Sequence, residues 1–223
     1  MKRYHTFIGM LLALMALLPL SLKAQDEATA LLERTADAIR SSDGIKATFI
    51  IQAQEVETEG TIFLKGTKFK LETEGVKTWF DGTTQWTLVE ETEEVNISEP
   101  TAEELQSINP YAWLSLYKEG YKVRFGSGAN EGERSIVMTT TKSRLDMQSI
   151  VLTVNERTLA PVRLSMAGRG GKDVAVIFIQ SYDDKQHYDD ALFLSRKPIP
   201  RRRGSGPSIM DSGCEAAIIC LIR

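Results

Sequence analysis

The sequence predicts a mainly β (α+β) protein built on an antiparallel meander of about eleven strands. Two observations carry this prediction. Apolar and polar residues alternate in short runs, most clearly between residues 45 and 97, and Gly-containing turn signals separate those runs. A helical pattern replaces the alternation only before residue 45 and between residues 101 and 117. We therefore expect one helix ahead of the sheet and helices inserted in mid-chain.

Residues 1–24 have the pattern of a cleaved signal peptide. Lys2 and Arg3 precede an apolar run from Phe7 to Leu20, and a small residue, Ala24, provides a cleavage point. The run is too short to span a membrane. We expect export, to the periplasm if the cell is Gram-negative; the alternative is a buried N-terminal helix.

An amphipathic helix is predicted from Asp26 to Ser42. Asp26 is a suitable N-cap, and Asp43-Gly44 ends the pattern. Apolar or small residues recur at helical spacing and form a stripe suited to packing on a sheet: Ala28, Leu31, Leu32, Thr35, Ala38 and Ile39.

The first half of the meander contains six predicted strands. Its turn signals are Glu59-Gly60, Gly66-Thr67, Glu74-Gly75 and Asp81-Gly82. The polar face of this sheet is rich in Lys, Thr, Glu and Gln, so we expect this face to be exposed to solvent. The predicted strands are 45–57, 60–65, 68–74, 76–81, 84–90 and 93–98.

A bulky apolar insert follows Pro100. Thr101 and Glu104 form a capping-box pattern, Asn109-Pro110 breaks the first helix, and residues 111–117 favour a second one. Such an insert is well placed to cover an opening of the sheet. Strands are then predicted at 121–125, 134–141, 148–155, 161–167 and 173–181, with a possible last one at 191–194. The run from Val174 to Ile179 is apolar at every position, which predicts a strand covered on both sides.

Charge and motif content argue against several classes of function. Residues 25–195 contain 18 of the 27 basic and 28 of the 30 acidic residues, a net charge that disfavours nucleic acid. His187 lies in an acidic loop, and Cys214 and Cys220 lack the spacing of a zinc site. We expect no enzyme, no cofactor and no metal. Trp79, Trp86 and Trp113 fit either a packed core or an apolar ligand cavity.

The order of these elements resembles the LolA-type outer-membrane lipoprotein carriers over residues 1 to about 194. Asp-Gly before an aromatic strand and Asn-Pro before the middle helix belong to the likeness. It rests on IKATFIIQ (45–52), the run from 59 to 89, NPYAWLSLYKEGYKVRF (109–125), the run from 145 to 166, and DALF (190–193).

This resemblance implies an incomplete, strongly curved antiparallel barrel with a helical lid. Its apolar concave face would hold the acyl chains of lipoproteins during transfer from the inner to the outer membrane. The implied partners are acylated lipoproteins, an inner-membrane lipoprotein-releasing ABC transporter and an outer-membrane acceptor, with the carrier a monomer. The alternative is a regulatory module of similar half-barrel fold that senses envelope stress.

Alternation gives the residues expected on the ligand-facing side. For the acyl-chain cavity these are Phe49, Ile51, Ile62, Leu64, Phe69, Leu71, Trp86 and Leu88. The lid that the resemblance implies would present Leu105, Ile108, Trp113, Leu114 and Tyr117 from the insert. Many members of the family have Lys-Arg-Pro where this chain has Lys65-Gly66-Thr67, with the Arg tying the lid shut. Lys65 and Lys68 are the candidates to replace it.

The predicted domain organisation has three parts: the signal peptide (1–24), a half-barrel domain (25–195) and an atypical basic tail (196–223). The tail differs from the final strand that the resemblance implies. A one-base shift near Leu192 to Ser195 is compatible with the expected ending, so a frameshift is one explanation for the tail. Its Arg run favours disorder.

Overall fold

The computed structural model describes residues 18–53, 56–100, 114, 118, 120–140, 147–168 and 173–195, with side chains from Asp26 onward except at 147 and 173. The start of the predicted signal peptide, the basic tail and most of the predicted lid lie outside the described residues.

One helix, eleven strands and a short 3₁₀ helix make up the described structure. The helix α1 is Leu18–Arg40. The strands of the first half are β1 Ile45–Ala53, β2 Val56–Lys65, β3 Lys68–Thr73, β4 Val76–Phe80, β5 Gln85–Val89 and β6 Glu94–Ser98. Those of the second half are β7 Lys122–Phe125, β8 Glu133–Thr139, β9 Met147–Asn155, β10 Pro161–Gly168 and β11 Asp173–Asp183. The 3₁₀ helix is Asp190–Phe193.

All eleven strands belong to one antiparallel sheet in the order β6-β5-β4-β3-β2-β1-β11-β10-β9-β8-β7. Each half is a simple meander, and the central pair β1–β11 joins the two. The strands β6 and β7 form the two ends of the order, so the sheet is not closed into a barrel. This confirms a mainly β, antiparallel, incomplete barrel with a helix at its N-terminal end.

The sheet is strongly curved. Leu71 of β3 and Met138 of β8 line the same cavity. Six strand spacings of about 4.8 Å separate these two strands in the sheet order, roughly 29 Å if the sheet were flat. Because one cavity touches both side chains, the sheet must bend around it. We call the face that bends inward the concave face.

Helix α1 packs on the concave side. Its apolar stripe, which includes Leu32 and Ile39, joins one continuous core with concave residues of β1–β4 and β7–β11. Thr35 is fully buried in this stripe, and its hydroxyl donates a hydrogen bond to the Leu31 carbonyl oxygen at 3.0 Å. The predicted stripe is therefore the packed side of the helix.

The predicted start of this helix is wrong. Among the described residues the helix already runs from Leu18, and Asp26 lies inside it instead of capping it. The segment from Leu18 to Ala24 contains mostly good helix formers, and Pro19 falls in the first turn of the described helix, where a missing N–H is tolerated. Within the described residues, no helix is both long and apolar enough to cross a membrane.

Two local predictions also differ from the structure. Gly60 lies inside β2, not in a turn: a Cβ there would come within 2.4 Å of the Phe49 ring, so the glycine makes room for an aromatic side chain. Residues 191–194 lie in and just after the 3₁₀ helix, where the Asp189 carboxylate accepts a hydrogen bond from the Ala191 N–H at 2.8 Å. That local capping favours a helical turn over a strand.

Candidate ligand-binding cavity

The concave face encloses one apolar cavity that is partly open to solvent. Its empty volume is about 860 Å³, including the part open to solvent. Apart from Arg163 and Tyr182, every lining side chain among the described residues is apolar. They are Ile39, Ala47, Phe49, Ile51, Ile62, Leu64, Leu71, Leu114, Met138, Leu152, Pro161, Leu164, Ile177 and Ile179.

Strand register brings these side chains together. Ile51 of β1 is opposite Ile177 of β11, Ile177 is opposite Leu164 of β10, and Leu164 is opposite Leu152 of β9. Opposed residues on antiparallel strands share a face, so these four form one apolar row across the sheet. Strand pairing therefore places these side chains side by side on the floor of the cavity.

Five of the eight predicted cavity residues line the cavity: Phe49, Ile51, Ile62, Leu64 and Leu71. Phe69 lies on the same face but not in the lining. Its ring packs against that of Phe80 with centroids 5.4 Å apart, and both side chains are fully buried. Phe69 is therefore packed core beside the cavity.

Trp86 and Leu88 lie on the opposite, convex face, contrary to prediction. The concave Phe69 is opposite Phe80, and Phe80 is opposite Gln85, so the concave face of β5 carries Gln85 and Thr87. The prediction placed the apolar residues of β5 on the concave face. Alternation alone does not say which of the two sets of side chains faces inward. A one-residue change of register exchanges the two faces of a strand.

Of the predicted lid residues, the structure describes only Leu114. Its side chain is 6% exposed and lines the cavity, which places this part of the insert over the concave face. Leu105, Ile108, Trp113 and Tyr117 lie outside the described residues.

Sequence reasoning missed the second half of the cavity wall. Met138, Leu152 and Leu164 come from β8, β9 and β10, whose alternation was visible but was not assigned to a face. In β11, Ile177 and Ile179 face the cavity. The convex side chains of β11 are half-buried or exposed, with Val174 38% exposed, so the expectation of a strand covered on both sides is wrong.

Lys65 and Lys68 bind the C-terminal 3₁₀ helix. The Lys65 ammonium group donates hydrogen bonds to the Asp190 carboxylate at 2.8 Å and to the Tyr188 carbonyl oxygen at 2.7 Å, and Lys68 reaches the same carboxylate at 2.5 Å. The hydrogen bonds from Lys65 and then Lys68 lower the pKa of Asp190 to about 2. The bond to Asp190 raises the pKa of Lys65 in turn. Both lysines thus join the β2–β3 hairpin to the end of the half-barrel.

An open antiparallel sheet bent around an apolar cavity defines a half-barrel. The profile of one family, described as outer membrane lipoprotein carrier protein LolA, matches residues 20–171. That match covers more than half of the sequence, and the chain therefore belongs to this family.

Several solved structures are similar to this chain at low sequence identity. An uncharacterised conserved protein from Thermus thermophilus is 15% identical, with a TM-score of 0.56 over 75% of this chain and 92% of that one. The lipoprotein LppX of Mycobacterium tuberculosis is 11% identical, with a TM-score of 0.46 over 74% and 99%. A LolA superfamily protein from Nitrosomonas europaea is 10% identical, with a TM-score of 0.39 over 75% and 97%. A search of curated proteins found no match.

Proposed function

We propose that this protein is a periplasmic carrier that binds the acyl chains of lipoproteins in its concave cavity and takes them from the inner to the outer membrane. The observation that carries the proposal is the cavity itself. Fourteen of its sixteen described lining residues are apolar, and they come from both halves of the sheet, from α1 and from the insert. Membership of the lipoprotein-carrier family supports the same assignment.

The energetics of acyl chains explain why such a cavity is needed. Transfer of one CH₂ group out of water is worth about 0.8 kcal/mol, so a 16-carbon chain left in water costs roughly 12 kcal/mol. An acylated protein therefore does not cross an aqueous compartment unaided.

A carrier must also release its cargo. A cavity that is partly open, with a cover that moves, permits release more readily than a closed and fully packed pocket. Leu114 already contacts the cavity from the insert. We propose that Leu105, Ile108, Trp113 and Tyr117 complete this cover, as the sequence predicts.

The rest of the proposed pathway follows from the family. The monomeric carrier would receive acylated lipoproteins from an inner-membrane ABC transporter and pass them to an outer-membrane acceptor. Export would use residues 1–24 as a cleaved signal peptide, and residues 25–195 would form the binding domain. No cofactor and no catalytic step are required. The stress-sensing module named above stays a prediction, because nothing in the cavity favours it.

Co-purification with a lipoprotein tests the proposal. The carrier is produced together with a tagged lipoprotein, or with a variant whose lipidated Cys is replaced by Ser, and the complexes are weighed by native mass spectrometry. We expect a 1:1 complex with the acylated form and none with the Cys→Ser form. Equal recovery of both forms, or of neither, contradicts acyl-chain binding.

A further inference from the structure

Among the described residues, two polar side chains, Tyr182 and Arg163, line an otherwise apolar cavity. Tyr182 lies near the C-terminal end of β11, opposite Ala47 of β1. Its ring packs against the hydrophobic core, while the residue as a whole is only partly buried. A hydroxyl group in such a wall is a candidate for recognising the polar end of an apolar ligand.

Tyr182 lies at the solvent-accessible end of the cavity. Ile51, Leu164 and Ile177, which line the other end, are 1%, 8% and 6% exposed. Pro161 and Ile179, nearer to Tyr182, are partly exposed. From Ile177 to Tyr182 the strand advances five residues, or about 17 Å at the usual rise of an antiparallel strand. The cavity thus has a dry apolar end and a water-accessible end with a phenol group.

The Tyr182 hydroxyl has no hydrogen-bond partner among the described residues. Burial, and secondarily the nearby Asp184 carboxylate, raises the pKa of the Tyr182 phenol well above its usual range. The phenol therefore keeps its proton at every physiological pH and remains a donor. A partly buried donor without a partner gains most from an acceptor that the ligand brings.

We propose that the Tyr182 hydroxyl donates a hydrogen bond to the carbonyl oxygen of an ester- or amide-linked acyl group whose chain occupies the cavity. This inference rests on the proposed acyl-chain binding and adds to it a direction: the acyl carbonyl lies at the Tyr182 end, and the terminal methyl group lies toward Ile51 and Ile177. It also adds a chemical preference, for acyl over alkyl chains. Acyl carbonyls are present in every lipid-modified protein and lipid that carries fatty acids by ester or amide bonds.

A matched pair of ligands tests the proposal. Monomyristoyl glycerol and tetradecyl glyceryl ether have the same chain length and head, but only the first has a carbonyl group. Their affinities for the full chain are measured by isothermal titration calorimetry. We expect the protein to bind the ester about fivefold more tightly, the usual net effect of one hydrogen bond. In Tyr182→Phe, affinity for the ether should stay unchanged and the preference for the ester should vanish.

Tyr188→Phe is the matched control. The Tyr188 hydroxyl is buried without a hydrogen-bond partner in the described part of the chain, and its ring packs on Phe63 and Phe193, outside the cavity lining. This variant should keep the full preference for the ester. Equal binding of ester and ether by the unmodified protein, or a preference that survives in Tyr182→Phe, overturns the role of Tyr182 while leaving acyl-chain binding intact. Failure to bind either ligand contradicts acyl-chain binding itself, and with it this inference.

Discussion

The concave face over β1–β3 differs sharply from the concave face over β4–β5. One row of opposed residues crosses both regions: Ala47, Ile62 and Leu71 continue into Thr78 and Thr87. The row is apolar up to β3 and polar from β4 onward. The two threonine hydroxyls lie 3.3 Å apart and form a hydrogen bond with each other.

The neighbouring row on the convex face changes in the opposite sense. It runs through Lys46, Phe63 and Lys70 and then reaches Trp79 and Trp86. Along these two rows, apolar side chains thus pass from the concave to the convex face between β3 and β4, while Phe80 remains an apolar residue on the concave face of β4. The cavity therefore ends at β3, although apolar and polar residues continue to alternate along the strands as far as β5.

The largest effect is expected at the edge of the cavity, where Phe69 packs on Phe80. Phe69→Ala should lower the free energy of unfolding by about 3–5 kcal/mol, because it leaves a hole in a packed core. Acyl-ligand affinity of the folded variant should not change. Phe63→Ala, on the convex face and only half-buried, is the control. Equal losses in the two variants, measured by urea denaturation, contradict the assignment of faces.

Leu71 and Leu88 form a matched pair that separates binding from stability. Each is 4% exposed, but Leu71 lines the cavity and Leu88 lies on the convex face. Both Leu→Ala variants should lose about 2–4 kcal/mol of stability. Only Leu71→Ala should also weaken binding of an acyl ligand, by about threefold to tenfold, since it removes apolar surface from the wall. If Leu88→Ala weakens binding to the same degree, β5 has been assigned to the wrong face.

A smaller effect of opposite sign is expected at Gln85, the buried amide on the concave side of β5. Its Nε2 donates to the Thr87 hydroxyl at 3.3 Å, but its Oε1 has no hydrogen-bond partner among the residues that the structure describes. Gln85→Leu removes this unpaired acceptor and should raise the free energy of unfolding by about 1 kcal/mol. Gln85→Glu, which keeps the shape and adds charge, should destabilise. A loss of stability in Gln85→Leu would show that the amide is satisfied in solution.

The smallest effect concerns the bonds from Lys65 and Lys68 to Asp190. The pKa of Asp190 is lowered from its ordinary value of 3.8 to about 2, so the native state favours the charged carboxylate. The stabilisation of the native state by this carboxylate is fully present above about pH 4 and is lost as the pH falls toward 2. Asp190→Asn should lower Tm by about 1–3 °C at pH 7, since exposed ion pairs contribute little. The difference in Tm between this variant and the unmodified protein should disappear near pH 2. A difference in Tm that does not depend on pH contradicts the assignment of this stabilisation to the Asp190 carboxylate.

Sequence patterns predicted the strands well and the faces incompletely. Alternation fixes the existence of a strand, and turn signals such as Asp81-Gly82 fix its limits, because both are local properties of the chain. The Asp81 carboxylate indeed accepts hydrogen bonds from the Thr83 and Thr84 N–H groups, each at 2.8 Å. Which side of β5 faces inward depends on pairing with β4 and on the bend of the whole sheet. No residue of β5 encodes that by itself.

The same limit explains what was missed in the cavity and at the C-terminal end. Met138 and Leu71 are distant in sequence and line the same cavity only because the sheet bends. The sequence predicted a turn at Gly60, but the glycine is needed there because the Phe49 ring occupies the space that a side chain would fill. The partner of Lys65 and Lys68 proved to be Asp190, more than 120 positions along the chain. Contacts of this range follow from the fold and not from local pattern.

The most direct test of acyl-chain binding is methyl NMR of the protein with a ¹³C-labelled monoacylglycerol. We expect intermolecular NOEs from the labelled acyl chain to methyl groups of Ile51, Leu71 and Ile177, which line the concave cavity. We expect none to Leu88 on the convex face. NOEs to Leu88 without any to Ile51 or Ile177, or no intermolecular NOEs at all under saturating ligand, would contradict a concave acyl-chain site.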